Sequence, residues 1–491
     1  MKKSISLLLL SLLMITPSCQ KPKEVTNEYN IVPQPNQLVP KEGRFELSNK
    51  VRLVVPSDAP EVKKVADGFA EQLKQTAGIS LKEAESVDGK PAISFVLQEG
   101  MPKEGYKLSV TPTLITVTAS QPNGFFYGVQ TIYQLLPPAV YRKELKKKAD
   151  WSVPAVEIED APRFVHRGLM LDVCRHYAPI EYIYKFIDLL AMNKMNVFHW
   201  HLTDDQGWRI EIKKYPKLTE VGSKRDSTII DWETKKFDGK PHSGFYTQDE
   251  AREIVRYAAD RFITVVPEID LPGHTTAALA SYPELGCTGG PYKVLCSFGV
   301  FPDVLCAGND QTLQFTKDVL DEIMDIFPSE YIHIGGDECP KSRWEKCPKC
   351  QAKIKELGIK ALPKHSKENQ LQTYFMSELE KEINAHGRRM LGWDEVLEGG
   401  LTPNSTIMSW RGIQGGIEAA RQHHDVIMTP IQRLYFSNPR INKMTGFEWM
   451  NRVYNFEPVP AELTDAEKKF VIGTQGLSLI HISEPTRPEP I

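Results

Sequence analysis

Little in this sequence points toward nucleic acid or the interior of a membrane. Its 60 Lys and Arg nearly balance 63 Asp and Glu, for a formal net charge of −3, so it lacks the basic footprint that a phosphate backbone requires. Beyond the N-terminus no run is apolar enough to cross a bilayer. Cysteine is sparse: eight residues, of which seven follow Cys19, at 174, 287, 296, 306, 339, 347 and 350. An odd number leaves at least one thiol free in any disulfide scheme. Cys347-Pro-Lys-Cys350 has metal or redox spacing, but no second such pair exists to complete a zinc site. A disulfide or free thiols are expected there, and no metal. Residues 20–160 also lack any cluster of charged or nucleophilic side chains, which assigns them a structural role.

What is present is ordinary globular composition, 41% hydrophobic and 25% charged over 491 residues, enough for two or three domains with sizeable cores. The N-terminus differs. Lys2 and Lys3 precede an apolar run from Ile5 to Ile15 and then Thr16-Pro17-Ser18-Cys19, the pattern of a secretory signal too short to span a bilayer. A cysteine directly after a small residue at the cleavage site predicts lipid attachment at Cys19, as in bacterial lipoproteins. Thr16 and Pro17 make an imperfect lipobox, so simple secretion is the alternative. Residues 1–19 are expected to be a signal, and the protein to be exported, periplasmic or anchored at the outer membrane.

Residues 20–160 read as an α/β accessory domain, with strands at Val51–Val55, Ile93–Leu97 and Leu114–Thr118 and a helix from about Gly124 to Leu136. After Asp160-Ala-Pro-Arg163 the pattern becomes strand, loop, helix, repeated. Candidate strands are 168–173, 195–202, 262–267, 331–335, 388–392, 405–410, 425–429 and 470–474. Pro179 to Asn193 places Ile183, Phe186, Ile187 and Leu190 on one helical face. Thr247-Gln-Asp-Glu250 is a capping box, and Thr312 to Phe327 repeats the helical scheme. Eight such units within residues 161–476 predict a (β/α)8 barrel.

A barrel of this kind carries its chemistry at the carboxyl ends of its strands, and the reactive residues sort that way. Strand one leads to Asp172, Arg175 and His176, and strand two to His199-Trp-His-Leu-Thr-Asp-Asp205. Strand three gives Glu268-Ile-Asp270 and His274, and strand four gives Asp337 and Glu338. Strand five yields Trp393-Asp-Glu395, strand six Trp410-Arg411, and strand seven leads to Tyr435. The segment Tyr331-Ile-His-Ile-Gly-Gly-Asp-Glu-Cys339 is the most telling. Adjacent carboxylates at the exit of a buried strand must be paired or protonated. Held so, one keeps a proton to give while the other stays charged. A capped helix start is the plainer reading of the same acids.

Tryptophans at two strand exits suit a sugar, since indole stacks on the C–H face of a pyranose while Arg and carboxylates bond its hydroxyls. A metal-dependent hydrolase is the chemical rival, because His199 and His201 share one face of a strand. Later strands offer Trp, Asp, Glu and Arg where such an enzyme needs further His ligands, so the two histidines are expected to be hydrogen-bonded supports of the pocket floor.

Four segments then resemble glycoside hydrolase family 20, the β-N-acetylhexosaminidases: Arg167-Gly-Leu-Met-Leu-Asp-Val-Cys-Arg-His176, Asn196-Val-Phe-His-Trp-His-Leu-Thr-Asp-Asp-Gln-Gly-Trp208, Pro267-Glu-Ile-Asp-Leu-Pro-Gly-His274 and His333-Ile-Gly-Gly-Asp-Glu338. Gly105-Tyr106 and Tyr127-Gly-Val-Gln-Thr131 resemble that family's accessory domain. The resemblance runs from about residue 30 to 475. It implies exo-acting, retaining hydrolysis of terminal β-linked N-acetylhexosamine from glycans, with the substrate's acetamido oxygen attacking the anomeric carbon to form an oxazolinium intermediate. It implies no cofactor. By resemblance Glu338 is the general acid and base, Asp337 orients the acetamido N–H, and Tyr435 bonds the acetamido oxygen. Trp393 and Trp410 wall the methyl pocket, Arg175 binds the C3 and C4 hydroxyls, and Asp204 with His274 supports Glu338. Each has a plainer role: Arg175 as ion-pair partner of Asp172, Asp204 or Asp205 as a helix cap, His274 as a satisfied loop histidine. Release of a disaccharide, as by a lacto-N-biosidase, and a non-catalytic glycan-binding barrel are the alternatives.

Two departures stand out. Tyr435-Phe-Ser437 has serine where the family has Asp or Asn. The last strand should lead to a Trp-x-Glu segment, but the chain reads Leu477-Ser-Leu-Ile-His-Ile-Ser-Glu-Pro-Thr-Arg487 and ends at Ile491. That string is what a transposase-based sequencing adapter encodes. Residues 477–491 are therefore expected to be non-native, the eighth helix missing, and the barrel open with an exposed strand edge that leaves the chain inactive or insoluble.

Overall fold

The computed structural model describes residues 29–231, 233–363, 365–400, 402–436 and 446–478. The signal with Cys19, Ser437, and the tail from residue 479 lie outside the described residues.

Seven strands form the first sheet: β1 (Gln37–Glu46), β2 (Arg52–Val54), β3 (Lys82–Ala84), β4 (Ala92–Leu97), β5 (Tyr106–Val110), β6 (Leu114–Ala119) and β7 (Ser152–Asp160), in the order β1-β7-β5-β6-β4-β2-β3. Helices α1 (Pro60–Ala77) and α2 (Pro122–Leu135) join its core, where Phe69, Leu73, Phe125 and Ile132 are buried with Phe45, Ile115 and Val117 of the sheet. Both helices begin on proline, whose missing N–H is no loss in a first turn. Sequence periodicity missed β1, β3, β5, β7 and α1. Strand β1 is mostly exposed along its length, so it carries little of the alternation by which a half-buried strand announces itself.

The second sheet closes on itself. Strands β8 (His166–Asp172), β9 (Val197–Asp204), β10 (Thr264–Leu271), β11 (Tyr331–Gly335), β12 (Arg389–Trp393), β13 (Thr406–Ser409), β14 (Val426–Met428) and β15 (Val471–Ser478) are each parallel to the next. Strand β15 returns to β8 with Gln475 to Ser478 opposite Gly168 to Leu171. This is a (β/α)8 barrel. The expected open edge is therefore absent among the described residues: β15 is paired on both sides and Leu477 is buried. Its last two residues, Leu477 and Ser478, are the first two of the expected non-native segment.

Helix α3 (Ile180–Met192) buries Ile183, Phe186, Ile187 and Leu190, the face its periodicity predicted. Thr247 and Glu250 form both bonds of the capping box that opens α4 (Gln248–Ala259). Helix α5 (Asp310–Ile326) starts two residues earlier than expected because the Asn309 side chain accepts the Gln311 N–H. Strands β9 and β10 run two and four residues beyond their expected ends. Asp204, Glu268 and Asp270 thus lie within the strands, fully buried. The acids look like strand terminators in sequence. In space Asp204 and Glu268 face histidines and arginine, which make their burial tolerable.

Between the two sheets, Arg167 of β8 forms a double hydrogen bond with Glu104 at 2.9 and 3.0 Å and also reaches the Tyr127 hydroxyl. Lys194, ahead of β9, donates to Tyr106 at 2.8 Å. Gly105-Tyr106 and Tyr127–Thr131 therefore belong to the seam. Gly124 is required there, because a Cβ would sit 2.3 Å from the Gly105 carbonyl oxygen.

Candidate active site

Two glycines set the geometry of the acid pair. Gly335 and Gly336 have φ of 64° and 99°, and a side chain on Gly336 would strike Val396. The left-handed turn is open to glycine at little cost. It swings Asp337 and Glu338 out of β11 and over the barrel mouth. Glu338 itself has φ 43° and His274 has φ 50°. Such backbone costs a non-glycine residue about 1–3 kcal/mol and gathers at functional sites.

His274 Nε2 lies 3.3 Å from Glu338 and 3.8 Å from Asp337. Its Nδ1 faces two carboxylates, Asp205 at 3.1 Å and Asp204 at 3.4 Å. The expected pair of Asp204 and His274 is thus a trio in which Asp205 is the nearer partner. Asp205 also accepts from the Thr276 backbone N–H and hydroxyl, so it is both a cap and a support. Burial pushes His274 toward its neutral form, but Asp204, Asp205 and Glu338 outweigh it and its pKa stands well above the ordinary value.

Asp204 turns its other oxygen to Arg175, at 2.5 Å, and to His201 Nε2, at 3.0 Å. Arg175 is also paired to Asp172 at 3.2 Å, while Asp172 accepts the backbone N–H groups of Cys174 and Arg175. Arg175 is therefore both the ion-pair partner of Asp172 and a guanidinium held at the pocket, one-fifth exposed.

Beneath them Glu268 is the residue that sequence reading named at a strand exit without giving it a task. It is fully buried and meets His201 Nδ1 at 2.5 Å, His199 Nε2 at 3.0 Å and the Trp393 indole N–H at 2.8 Å. His199 and His201 are supports of the floor, as expected, and Glu268 is what they support against. Burial disfavours its charge, yet the three surrounding histidines keep it well below the usual carboxylate range. Only its many partners in space reveal it.

Trp393, Trp410 and Tyr435 gather in one apolar cluster with Met170, Met408 and Leu477. Trp410 lies 6.1 Å from the Tyr435 ring, and its N–H donates to Glu395 at 2.9 Å. Burial, then the charges of Asp337 and Asp394, push Glu395 up to about 8. At neutral pH it is mainly a protonated acid at the pocket edge.

Asp337 completes the site. Burial raises it to about 6, with the neighbouring charges of Glu268 and Glu338 adding to the shift and His274 opposing it. Its Oδ1 is buried and has no hydrogen-bond partner among the described residues. A desolvated acceptor with no donor is costly, so this atom is set for a donor from outside the chain. Glu338, beside it, has a side chain 37% exposed and can reach a bound molecule.

Comparison with known proteins supplies the family. The description "Glycosyl hydrolase family 20, catalytic domain" matches residues 164–478, and "Glycosyl hydrolase family 20, domain 2" matches residues 28–161. A β-hexosaminidase of Porphyromonas gingivalis is 44% identical over 479 residues, covering 94% of this chain. The chain spans 59% of that relative's length. One from Vibrio furnissii is 35% identical, covering 91% of this chain and 71% of its own length. The crystal structure of a family 20 exo-β-N-acetylglucosaminidase from Vibrio harveyi in complex with N-acetylglucosamine has a TM-score of 0.77 at 31% identity, covering 93% of this chain and 70% of that one.

Proposed function

The chain belongs to glycosyl hydrolase family 20, and on that footing we propose that it removes terminal β-linked N-acetylhexosamine from glycans by substrate-assisted, retaining hydrolysis. The observation that carries this reading is the unpartnered, buried Oδ1 of Asp337 beside an accessible Glu338. A substrate N–H supplies the missing donor. As Asp337 accepts it, the acetamido oxygen turns toward the anomeric carbon and attacks, and the positive charge of the oxazolinium forms next to the Asp337 carboxylate. Glu338 gives its proton to the leaving oxygen and takes one back from the water that opens the ring. His274 sits behind Glu338 with Asp204 and Asp205 and stabilises it as a carboxylate once the proton has left. Arg175, tethered by Asp172 and Asp204, offers its guanidinium to the ring hydroxyls, and Trp393, Trp410 and Tyr435 surround the acetamido group. A glycan-binding barrel without activity has no use for a proton donor backed by a histidine and two acids.

The test is turnover of an aryl β-N-acetylglucosaminide by the chain and by its Glu338→Gln form. A loss of about 10²–10⁴-fold in rate is expected. The aryl glycoside with a free amine in place of the acetamide should be inert. Equal rates in either comparison overturn the proposal. Export with acylation at Cys19 is part of the same proposal, supported by the sequence of residues 1–19 alone. A mature protein that begins at Cys19 and carries acyl chains by mass is the expected result.

A further inference from the structure

Outside the sugar site, four cysteines from three separate stretches of the chain converge on one point. Cys306 Sγ lies 3.6 Å from Cys350 and 3.7 Å from Cys347, and Cys287 lies 3.9 Å from Cys350. All four sulfurs fall within 4.8 Å of one another. The requirement of a second Cys-x-x-Cys pair does not hold, because Cys287 and Cys306 are supplied by separate parts of one loop.

We propose that Cys287, Cys306, Cys347 and Cys350 bind one zinc ion as a structural site of four thiolates. A tetrahedral zinc with sulfurs at about 2.3 Å requires sulfur–sulfur edges of roughly 3.8 Å. The three shortest separations bracket that value. Two disulfides, Cys287–Cys350 with Cys306–Cys347, are the rival arrangement, but Cys306 lies closer still to Cys350, at 3.6 Å, a contact that such a pairing leaves unbonded and a shared ion uses. Four soft thiolates in a closed set select zinc over the harder divalent cations.

The surrounding chain is built for this cluster. Gly308 has no side chain to spare: a Cβ there would lie 2.4 Å from both N and Cα of Cys350. This lets the Cys306 loop press against the first turn of the helix Pro348–Glu356. Cys306, Cys347 and Cys350 are buried and Cys287 is partly so, which closes the site to a fourth-position water. Cys306 N–H bonds the Leu285 carbonyl at 2.9 Å, and Trp344, fully buried, donates to Leu305 at 2.9 Å.

The ion would link the two loops that carry the acid machinery. Leu305, adjacent to Cys306, donates to the Pro272 carbonyl two residues before His274, and Cys347 lies nine positions after Glu338. A metal here therefore holds His274 and Glu338 in register without touching substrate.

The experiment measures metal content of the purified full chain by mass spectrometry, together with alkylation of its thiols under denaturing conditions without reductant. One zinc per chain is expected, with Cys287, Cys306, Cys347 and Cys350 all alkylated. Cys306→Ser and Cys350→Ser should lose the zinc, and Cys296→Ser should keep it. Disulfide-linked peptides among the four, or wild-type zinc no higher than in Cys306→Ser, overturn the proposal. Should the serine variants fail to fold, wild-type protein produced in cobalt-supplemented medium decides. Tetrahedral visible bands with thiolate-to-cobalt charge transfer support the site, and a spectrum lacking them refutes it.

Discussion

At Asp337 the burial that leaves an acceptor waiting for substrate also works against the fold. The folded protein holds this proton up to about pH 6, whereas the carboxyl ordinarily titrates near 3.8. Its raised pKa favours the folded state at low pH, and that contribution is lost as pH rises through the window from 3.8 to 6. Asp337→Asn removes the loss. Melting of the variant relative to wild type should shift upward between about pH 4 and pH 7.5, by at most about 3 kcal/mol at about 1.4 kcal/mol per pH unit. A gap that does not change with pH would show an ordinary carboxyl. The same titration makes wild-type kcat/KM fall as pH drops below about 6, where Asp337 takes up its proton. The neighbouring acids separate by kinetics. Asp204 touches both His274 and Arg175, whereas Asp205 touches His274 and the Thr276 cap. Asp205→Asn should lower kcat with KM nearly unchanged, and Asp204→Asn should lower kcat and raise KM. Identical kinetic defects would mean that Arg175 does not depend on Asp204.

Among the elements, the exit of β11 matters most. Its strand residues Ile332 to Gly335 are fully buried, and the turn that follows departs from anything a strand or helix continues into. Gly336→Ala places a Cβ 2.7 Å from Val396 Cγ1 in a backbone with φ 99°. The strain of about 1–3 kcal/mol is relieved most directly by moving the acids. The expected result is at least a tenfold fall in kcat/KM with an unchanged far-ultraviolet spectrum. Full activity would show that the pair tolerates displacement. The repeated strand–helix order and the exit of acids from β11 were legible because both depend on local spacing. The inclusion of Asp204 in β9, and of Glu268 and Asp270 in β10, was not legible. Burial of Asp204 and Glu268 is tolerated with partners that come largely from other segments, Arg175 for the one and His199, His201 and Trp393 for the other.

The molecule as a whole is held closed at one side chain of the last strand. Gln475 donates to His199 Nδ1 of β9 at 2.8 Å, while its oxygen meets His166 Nε2 of β8 at 3.2 Å. Burial lowers His166 to about 4, so it is neutral under ordinary conditions and can donate. Gln475→Leu takes the partner from His199 Nδ1 and from His166 Nε2 inside the barrel, at about 1–3 kcal/mol for each buried group. A fall of several degrees in melting temperature is expected, with KM little changed in what remains folded. A variant as stable as wild type would show that strand pairing alone secures the closure.

The amino-acid sequence by itself determined the barrel, its direction and the residues at its mouth, because hydrophobic period and the placement of acids after strands are local properties that survive without a structure. It also singled out Glu338, Asp337, His274 and Arg175 through motifs contiguous along the chain, and Trp393, Trp410 and Tyr435 by their place after strands. Tertiary structure alone decided that Asp205 stands nearer to His274 than Asp204, that Glu268 anchors side chains from three other strands, and that Cys287 and Cys306 meet Cys347 and Cys350. The physical reason is common to all three. Each depends on distances between segments tens of residues apart, which are set by the closure of the sheet and by which side chains can share a buried charge.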